Sequence, residues 1–315
     1  MSKVLPIYLA PLQGYTEAPY RNAHSVCFGG VDAYYSPFVR LEHGNLRSKD
    51  LRDIAPANNQ VDRLIPQLIA SDPTKAEVIL ALFIEKGYQE VDINLGCPFP
   101  LLAKRHNGSG ILPYPEEVRS LLSVITQHPD IHFSVKMRLG WEKPEESLAL
   151  LPMLNDLPIK QITMHPRLGK QQYKGKVDME GFAAFYEGCR HPLVYNGDIR
   201  TADDLHLLSD QFPELSGVMI GRGLLANPAL AYEYKENRSL SPNEMREKLT
   251  ELHSRLLKHY EVKLEGGEMQ VLNKMKTFWE YLLPNADKKL LKAIHKSSDL
   301  NKYKVAVNTL FANFV

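Results

Sequence analysis

The sequence predicts an α/β fold, a (β/α)8 or TIM barrel followed by a small all-helical C-terminal domain. Three observations lead there. First, eight short apolar, β-rich runs occur in order, at 4–12, 33–38, 64–70, 90–96, 132–139, 161–165, 193–198 and 217–221. Second, stretches of helical spacing lie between most of them, at 73–86, 115–127, 145–155, 179–187 and 201–211. Such alternation over about 250 residues is the barrel pattern. A doubly wound open sheet is the rival, but no GxGxxG follows the first run and no acidic residue follows at the required distance. Third, strand-like runs cease after about residue 238, and helical stretches follow at 243–264, 267–283, 288–296 and 300–314. The expected division is a barrel domain at 1–238 and a helical domain at 239–315.

Helix starts carry their own chemistry. Ser71-Asp72-Pro73 and Thr201-Ala202-Asp203-Asp204 place acceptors and acids in a first turn, and Ser241-Pro242-Asn243-Glu244 adds Pro at the first helical position.

Composition bounds the rest. The 315 residues include 38 Lys+Arg and 37 Asp+Glu, for a formal net charge of +1, with 44% hydrophobic and 24% charged residues. These values exclude a disordered, fibrous or acidic-tail protein. No apolar run approaches the roughly 20 residues that span a bilayer, and the N-terminal stretch lacks the features of a signal peptide. Three cysteines, Cys27, Cys97 and Cys189, contain no CxxC pair, so a reducing, cytoplasmic compartment fits. From Ser241 onward 13 Lys+Arg face 9 Asp+Glu, a local charge of +4, which leaves −3 on the remainder.

In a barrel the reactive groups sit at the C-terminal ends of strands and in the loops beyond them. The first strand ends in Ala10-Pro11-Leu12-Gln13-Gly14, where Pro and Gly would let backbone approach a flat ligand closely or simply form a β–α turn. Gln67, an amide inside the third apolar run, suits the carbonyl/N–H edge of a heterocycle or caps a loop. The fourth strand ends in Asp92-Ile93-Asn94-Leu95-Gly96-Cys97-Pro98. A thiol in that rigid loop is a proton donor near its ordinary pKa of about 8.5, whereas a buried hydrophobe is the ordinary reading for Cys27 and Cys189. The 107–110 segment, Asn-Gly-Ser-Gly, reads as a flexible, phosphate-tolerant stretch or as a turn. On the fifth strand Ser134, Lys136 and Arg138 alternate with Phe133, Val135 and Met137 and share one face. A Lys facing a barrel interior requires an anion or an electron-rich group. His165-Pro166-Arg167 ends the sixth strand, with Lys170, Tyr173, Lys174 and Lys176 beyond it, and suggests anion contact, although His165 alone also reads as a satisfied structural residue. Asn196-Gly197-Asp198 and Gly221-Arg222-Gly223 end strands seven and eight, where barrels hold phosphate. Together they favour a ligand such as flavin mononucleotide. No HExxH or paired CxxC is present, so no metal site is expected.

APLQGYTEAPYR (10–21), QLIASDP (67–73), DINLGCP (92–98), SVKMRLGW (134–141), NGDI (196–199), MIGRGLLANP (219–228) and the tail motif LNKMKTFWEYL (272–282) resemble, in order, the motifs of the tRNA-dihydrouridine synthases. The resemblance implies an FMN-dependent oxidoreductase that reduces the C5–C6 double bond of particular uridines in tRNA, with NADPH, or NADH, as reductant. It implies Cys97 as general acid and Pro11, Gln67, Lys136, His165, Asn196, Gly197, Asp198, Gly221, Arg222 and Gly223 as flavin contacts. Asn94 and Arg167 would meet the substrate. Hydride would pass from flavin N5 to uracil C6 and a proton from Cys97 to C5, with Lys136 at the flavin N1/O2 edge. The target base would be swung out, and the helical domain and basic loops would hold the tRNA backbone. A monomer with no protein partner and no membrane contact is expected.

The sequence departs from the family in places. His165-Pro166-Arg167-Leu168 stands where His-Gly-Arg-Thr is usual, and Pro removes a backbone donor and fixes the local turn. Phe99-Pro100-Leu101-Leu102 is more apolar than usual. Two other function classes compete: an FMN barrel reductase of small pyrimidines or enones, and a non-catalytic RNA-binding barrel. The first would act equally on free uridine and tRNA, and the second would be colourless.

Overall fold

A computed structural model describes residues 3–313. The eight expected runs form parallel strands. β1 (Ile7–Leu9), β2 (Ala33–Tyr35), β5 (Leu64–Ile65), β6 (Gln67–Leu68), β7 (Glu90–Leu95), β8 (His132–Gly140), β9 (Gln161–Leu168), β10 (Leu193–Tyr195) and β11 (Gly217–Ile220) make one sheet, in the order β5-β2-β1-β11-β10-β9-β8-β7-β6. That order begins and ends on the two halves of one segment. Pro66 splits the third run into β5, which pairs with β2, and β6, which pairs with β7. The ring therefore closes through a strand whose middle residue has no N–H to give.

Helices α3 (Pro73–Glu85), α5 (Pro115–Gln127), α6 (Glu145–Asp156), α7 (Met179–Gly188) and α8 (Ala202–Gln211) wrap the ring at the expected places. Their caps match the sequence: Asp72 accepts from the Lys75 N–H, and Thr201 and Asp204 form a capping box. Several elements were not foreseen, among them α4 (Pro100–Ala103), just past the cysteine loop. α1 (Ala18–Cys27) has no local side-chain cap, and Asp53 accepts the Ala18 N–H from 35 residues away. A short antiparallel hairpin, β3 (Leu41–Glu42) and β4 (Asn45–Leu46), precedes α2 (Ser48–Asp53).

Side chains alternate cleanly between the two faces of the strands. Ile7, Leu9, Val91, Ile93, Phe133, Val135, Met137, Ile162 and Met164 point outward into the large core shared with the helices. A separate small cluster of Tyr8, Ala10, Ala33, Tyr35, Ile65, Val194 and Met219 fills one half of the barrel lumen. The other half is polar, with Gln67, Asp92, Asn94, Ser134, Lys136, Thr163 and His165 on the same inward face of β6 to β9.

After α9 (Arg222–Ala226) and α10 (Leu230–Glu236) come α11 (Pro242–Lys263), α12 (Gly267–Phe278), α13 (Lys288–Lys296) and α14 (Leu300–Ala312). Phe314, the end of the fourth expected tail helix, lies outside the described residues. The tail is fastened to the barrel near its mouth. Tyr20 stacks on Phe278 at 5.6 Å, Lys274 donates to the Gly14 carbonyl at 2.9 Å and to Glu17, and Tyr15 donates to Glu280. Among the described residues no helix is long and apolar enough to cross a membrane.

Candidate active site

At the C-terminal ends of the strands the barrel opens into a cavity of about 1790 Å³, which the tail residues Glu280, Tyr281 and Leu283 help to wall. Pro11, Asn94, Cys97, Lys136, His165, Asn196, Gly197, Asp198, Gly221, Arg222 and Gly223 all line it. Strand register explains the gathering. Asn94, Lys136 and Thr163 are opposite one another on β7, β8 and β9, and Arg138 is opposite His165 one step nearer the mouth.

Cys97 follows β7 and is held from several sides. Asn94 Oδ1 accepts the Gly96 and Cys97 N–H groups at 3.0 and 2.8 Å. Arg138 Nε donates to the Gly96 carbonyl at 2.9 Å. The Ser109 N–H and Oγ both donate to the Cys97 carbonyl, at 3.0 and 2.9 Å. The 107–110 segment is thus neither flexible nor open to phosphate, because Gly108, Ser109 and Gly110 are buried in a short 3-10 turn laid against the cysteine. Gly108 has φ +60°, and a Cβ there would sit 2.6 Å from the Cys97 carbonyl oxygen and 2.8 Å from its Cβ. Burial pushes the Cys97 thiol above its ordinary value, against the pull of the Phe99 backbone, Arg138, Lys136 and Arg40. The group is therefore loaded with its proton at neutral pH. Cys27 is buried and Cys189 half-buried, and both thiols are likewise raised by burial.

Lys136 enters the lumen without a hydrogen-bond or ion-pair partner among the described residues. Burial, then Arg138, lower its ammonium to about 8 against the attraction of Asp92 and Cys97. A cation so placed fits an electron-rich or anionic ring. His165 is lowered well below its ordinary value by burial and by Arg138, Lys136, Arg167 and Arg222. Among these groups the neutral ring is favoured, and it can meet a ligand by hydrogen bonding. Arg167 Nη1 lies 3.3 Å from Nε2, which puts the ring proton on Nδ1 as the available donor.

Two of the expected residues do not line the cavity. Gln67 is fully buried one layer below. It donates to Asp92 Oδ2 at 2.6 Å and accepts from Asn94 Nδ2 at 2.7 Å, so its carbonyl and one of its two N–H groups are engaged within the protein. Arg167 is 2% exposed: its two Nη groups donate to both oxygens of Asp198 and to the Gly175 carbonyl, while its buried Nε has no partner among the described residues. Asp198, at φ +41°, also accepts from Arg222 at 2.9 Å. Burial would raise its carboxyl, but Arg167 and then Arg222 hold it below the ordinary value. Arg167 thus braces Asp198, which in turn holds Arg222 at the cavity wall. Pro166 makes no turn. β9 runs on to Leu168, and three steps from His165 to Leu168 face two from Arg138 to Gly140, a bulge at the residue that lacks an N–H.

Sequence reasoning missed Arg138, which braces the loops of two strands: besides Gly96 it donates to Leu168 and Gln172 carbonyls at 2.9 and 2.7 Å. Its place on the Lys136 face was visible, but its acceptors 30 and 34 residues away were not. Tyr173 lies across the mouth, with the Arg222 guanidinium 4.6 Å from its ring.

The donors and cations of this lumen fit a flat heterocycle carrying a phosphate. Asn94 keeps one N–H, Lys136 has no partner among the described residues, His165 offers a neutral donor, and Gly197, Gly221 and Gly223, just beyond β10 and β11, bring backbone to the cavity wall. A Cβ on Gly221 would stand 3.3 Å from Ala10 and Leu12 side-chain atoms. Among the described residues no cluster of His, Cys, Asp and Glu could hold a metal ion.

Comparison with known proteins agrees with this geometry. The family model described as "Dihydrouridine synthase (Dus)" matches residues 8–312. A probable tRNA-dihydrouridine synthase of Helicobacter pylori is 30% identical over 270 residues, 82% of this chain and 77% of its own. A tRNA-dihydrouridine(16) synthase of Pseudomonas syringae pv. tomato is 30% identical over 238 residues, 72% and 74% of the two chains. Among solved structures, morphinone reductase shares the fold with a TM-score of 0.52 at 12% identity, over 76% of this chain and 88% of that one.

Proposed function

The chain belongs to the dihydrouridine synthase family, and on that premise we propose that it reduces the C5–C6 double bond of uridines in tRNA, with FMN bound in the barrel and NADPH as reductant. The observation that carries the reading is a protonated thiol, Cys97, on the wall of the same lumen as the unpaired Lys136. FMN, when bound and reduced by NADPH, would supply the hydride for uracil C6. Cys97 gives its proton to C5 as the C6–H bond forms, and its thiolate regains a proton from solvent. Lys136 stabilises negative charge on the cofactor ring. Asn94, with its remaining N–H, and His165, from Nδ1, would donate to the ring. Pro11, Asn196 and Gly197 would help to hold the ring and Gly221, Arg222 and Gly223 the phosphate, with Asp198 fixing Arg222.

The barrel, residues 1–238, is the catalytic part, and the tail, 239–315, shares the work of holding tRNA as a monomeric, cytoplasmic enzyme. Support comes from the rim, where Arg40, Arg47, Lys49, Arg200 and Lys289 border the cavity. Arg40 and Arg47 pair with Glu42 and Asp50, whereas Lys49 and Lys289 have no carboxylate partner among the described residues. Phosphates of a tRNA loop fit these cations, and a uridine must leave its stack to reach Cys97.

The test is direct. Purified protein should be yellow, and with NADPH it should form dihydrouridine in unmodified tRNA transcripts but not in free uridine. A colourless preparation that binds no FMN, or equal activity on free uridine, would sink the proposal.

A further inference from the structure

Below the cavity, a chain of side-chain hydrogen bonds crosses three strands and ends on the backbone of the cysteine loop. Ser134 Oγ donates to Asp92 Oδ1 at 2.6 Å, and Gln67 Nε2 donates to Asp92 Oδ2 at 2.6 Å. Asn94 Nδ2 donates to Gln67 Oε1 at 2.7 Å, and Asn94 Oδ1 accepts both the Gly96 and Cys97 N–H groups. The register places these groups together, since Gln67, Asp92 and Ser134 stand directly opposite one another on β6, β7 and β8. Asp92 is fully buried and does not line the cavity.

An amide can point either way, so a chain of two amides needs an end that fixes its sense. Here both ends agree. A carboxylate oxygen only accepts, so Gln67 must turn its NH2 toward Asp92 and its carbonyl toward Asn94. Asn94 must then turn its NH2 toward Gln67 and its oxygen toward the two backbone N–H groups. With Gln67 reversed, its oxygen would face a carboxylate oxygen, and the Asn94 oxygen would be drawn off the Cys97 N–H.

We propose that Asp92 is a positioning residue for the reduction assigned above: through Gln67 it sets the orientation of Asn94, and thereby holds the Gly96–Cys97 backbone that aims the thiol into the cavity. It touches neither cofactor nor substrate. Burial raises its carboxyl to about 7, against Ser134, Gln67 and Lys136. Its acceptor role survives protonation, because Ser134 Oγ can accept the new O–H while Oδ2 still receives Gln67. Asp92→Asn can keep the same sense, with its oxygen toward Gln67 and its NH2 toward Ser134. Asp92→Leu cannot, and neither can Gln67→Met, which cuts the chain at the next link.

The experiment uses the full-length holoprotein with two readouts. One is the alkylation rate of Cys97 by iodoacetamide, expressed as a ratio to Cys189 of the same chain. The other is the rate at which tRNA reoxidises the reduced flavin, set against the rate at which NADPH reduces it. Asp92→Leu and Gln67→Met should each slow reoxidation about tenfold and change the alkylation ratio severalfold, with reduction by NADPH within about twofold of wild type. The double variant should lose no more than either single one, as members of one chain do. Asp92→Asn should recover both readouts to within about threefold. Losses that multiply in the double variant, or a folded Gln67→Met with the wild-type ratio and reoxidation rate, would overturn the inference. So would an Asp92→Asn as damaged as Asp92→Leu. If Asp92→Leu does not fold, Gln67→Met and Asp92→Asn still decide. The inference rests on the reading above, but a wild-type protein inactive on tRNA would defeat only that reading, since the alkylation ratio tests the chain without turnover.

Discussion

The two halves of the barrel lumen are built on different principles. On one side Tyr8, Ala10, Ala33, Tyr35, Ile65, Val194 and Met219 close the interior mainly by packing, with the Tyr35 hydroxyl accepting from Gln161 at 3.1 Å. On the other, β6 to β9 send Gln67, Asp92, Asn94, Ser134, Lys136 and His165 inward. Burying that many polar groups is unfavourable unless each finds a partner. Most do, but among the described residues Lys136 and the Thr163 hydroxyl on the same face have no partner. The apolar half supplies stability, and the polar half concentrates chemistry at positions where stability is given up.

Substitutions that separate the halves test this division. The largest effect belongs to Cys97→Ala, which should lower dihydrouridine formation by about 10²–10⁴ while the flavin stays bound and NADPH still reduces it. Product assay beside the flavin absorbance trace checks both. Next comes Lys136→Met, which should weaken FMN binding about tenfold to a hundredfold, measured by quenching of flavin fluorescence. Its pH dependence has a definite sign. Burial, then Arg138, lower the ammonium to about 8, so the proton leaves earlier than from an ordinary lysine. FMN affinity should fall as pH rises through about 8 in the wild type and be flat in the variant. The apolar half should answer differently. Ile65→Ala should cost about 2–5 kcal/mol of stability, read from urea unfolding, and leave the flavin reoxidation rate near wild type at low temperature. The smallest effect is at the rim. Lys49→Ala should raise the KM for tRNA only about twofold and shallow its salt dependence by about one phosphate contact.

Much of this contrast could be read from the chain. The two-residue period put Ser134, Lys136 and Arg138 on one face, and the Gly-Cys-Pro turn after the fourth strand put a thiol at the mouth. The strand ends of Asn196-Gly197-Asp198 and Gly221-Arg222-Gly223 line the cavity as read. What escaped was set by distant partners. Gln67 is turned away from the cavity by Asp92, 25 residues on, and Arg167 is drawn to Asp198, 31 residues on. The capping of α1 by Asp53 and the contact of Tyr15 with Glu280, 265 residues apart, leave no local trace. Pro166 was read as a turn because a missing N–H can either end a strand or be absorbed in a bulge, and only the neighbouring strand decides which.

Gly108 carries a consequence for how this sequence can vary. It touches no substrate and bears no reactive atom, yet any side chain there would have to occupy the space held by Cys97, at a backbone angle that side chains rarely adopt. Gly110 is under a similar restriction, since a Cβ there would meet the Ala103 backbone at 2.3 Å. In a screen of random variants scored for the tRNA product, these two positions should be as intolerant as the cysteine itself, and the pattern would mimic a three-residue catalytic motif. The thiol's inheritance is tied to two residues that do nothing but stay small.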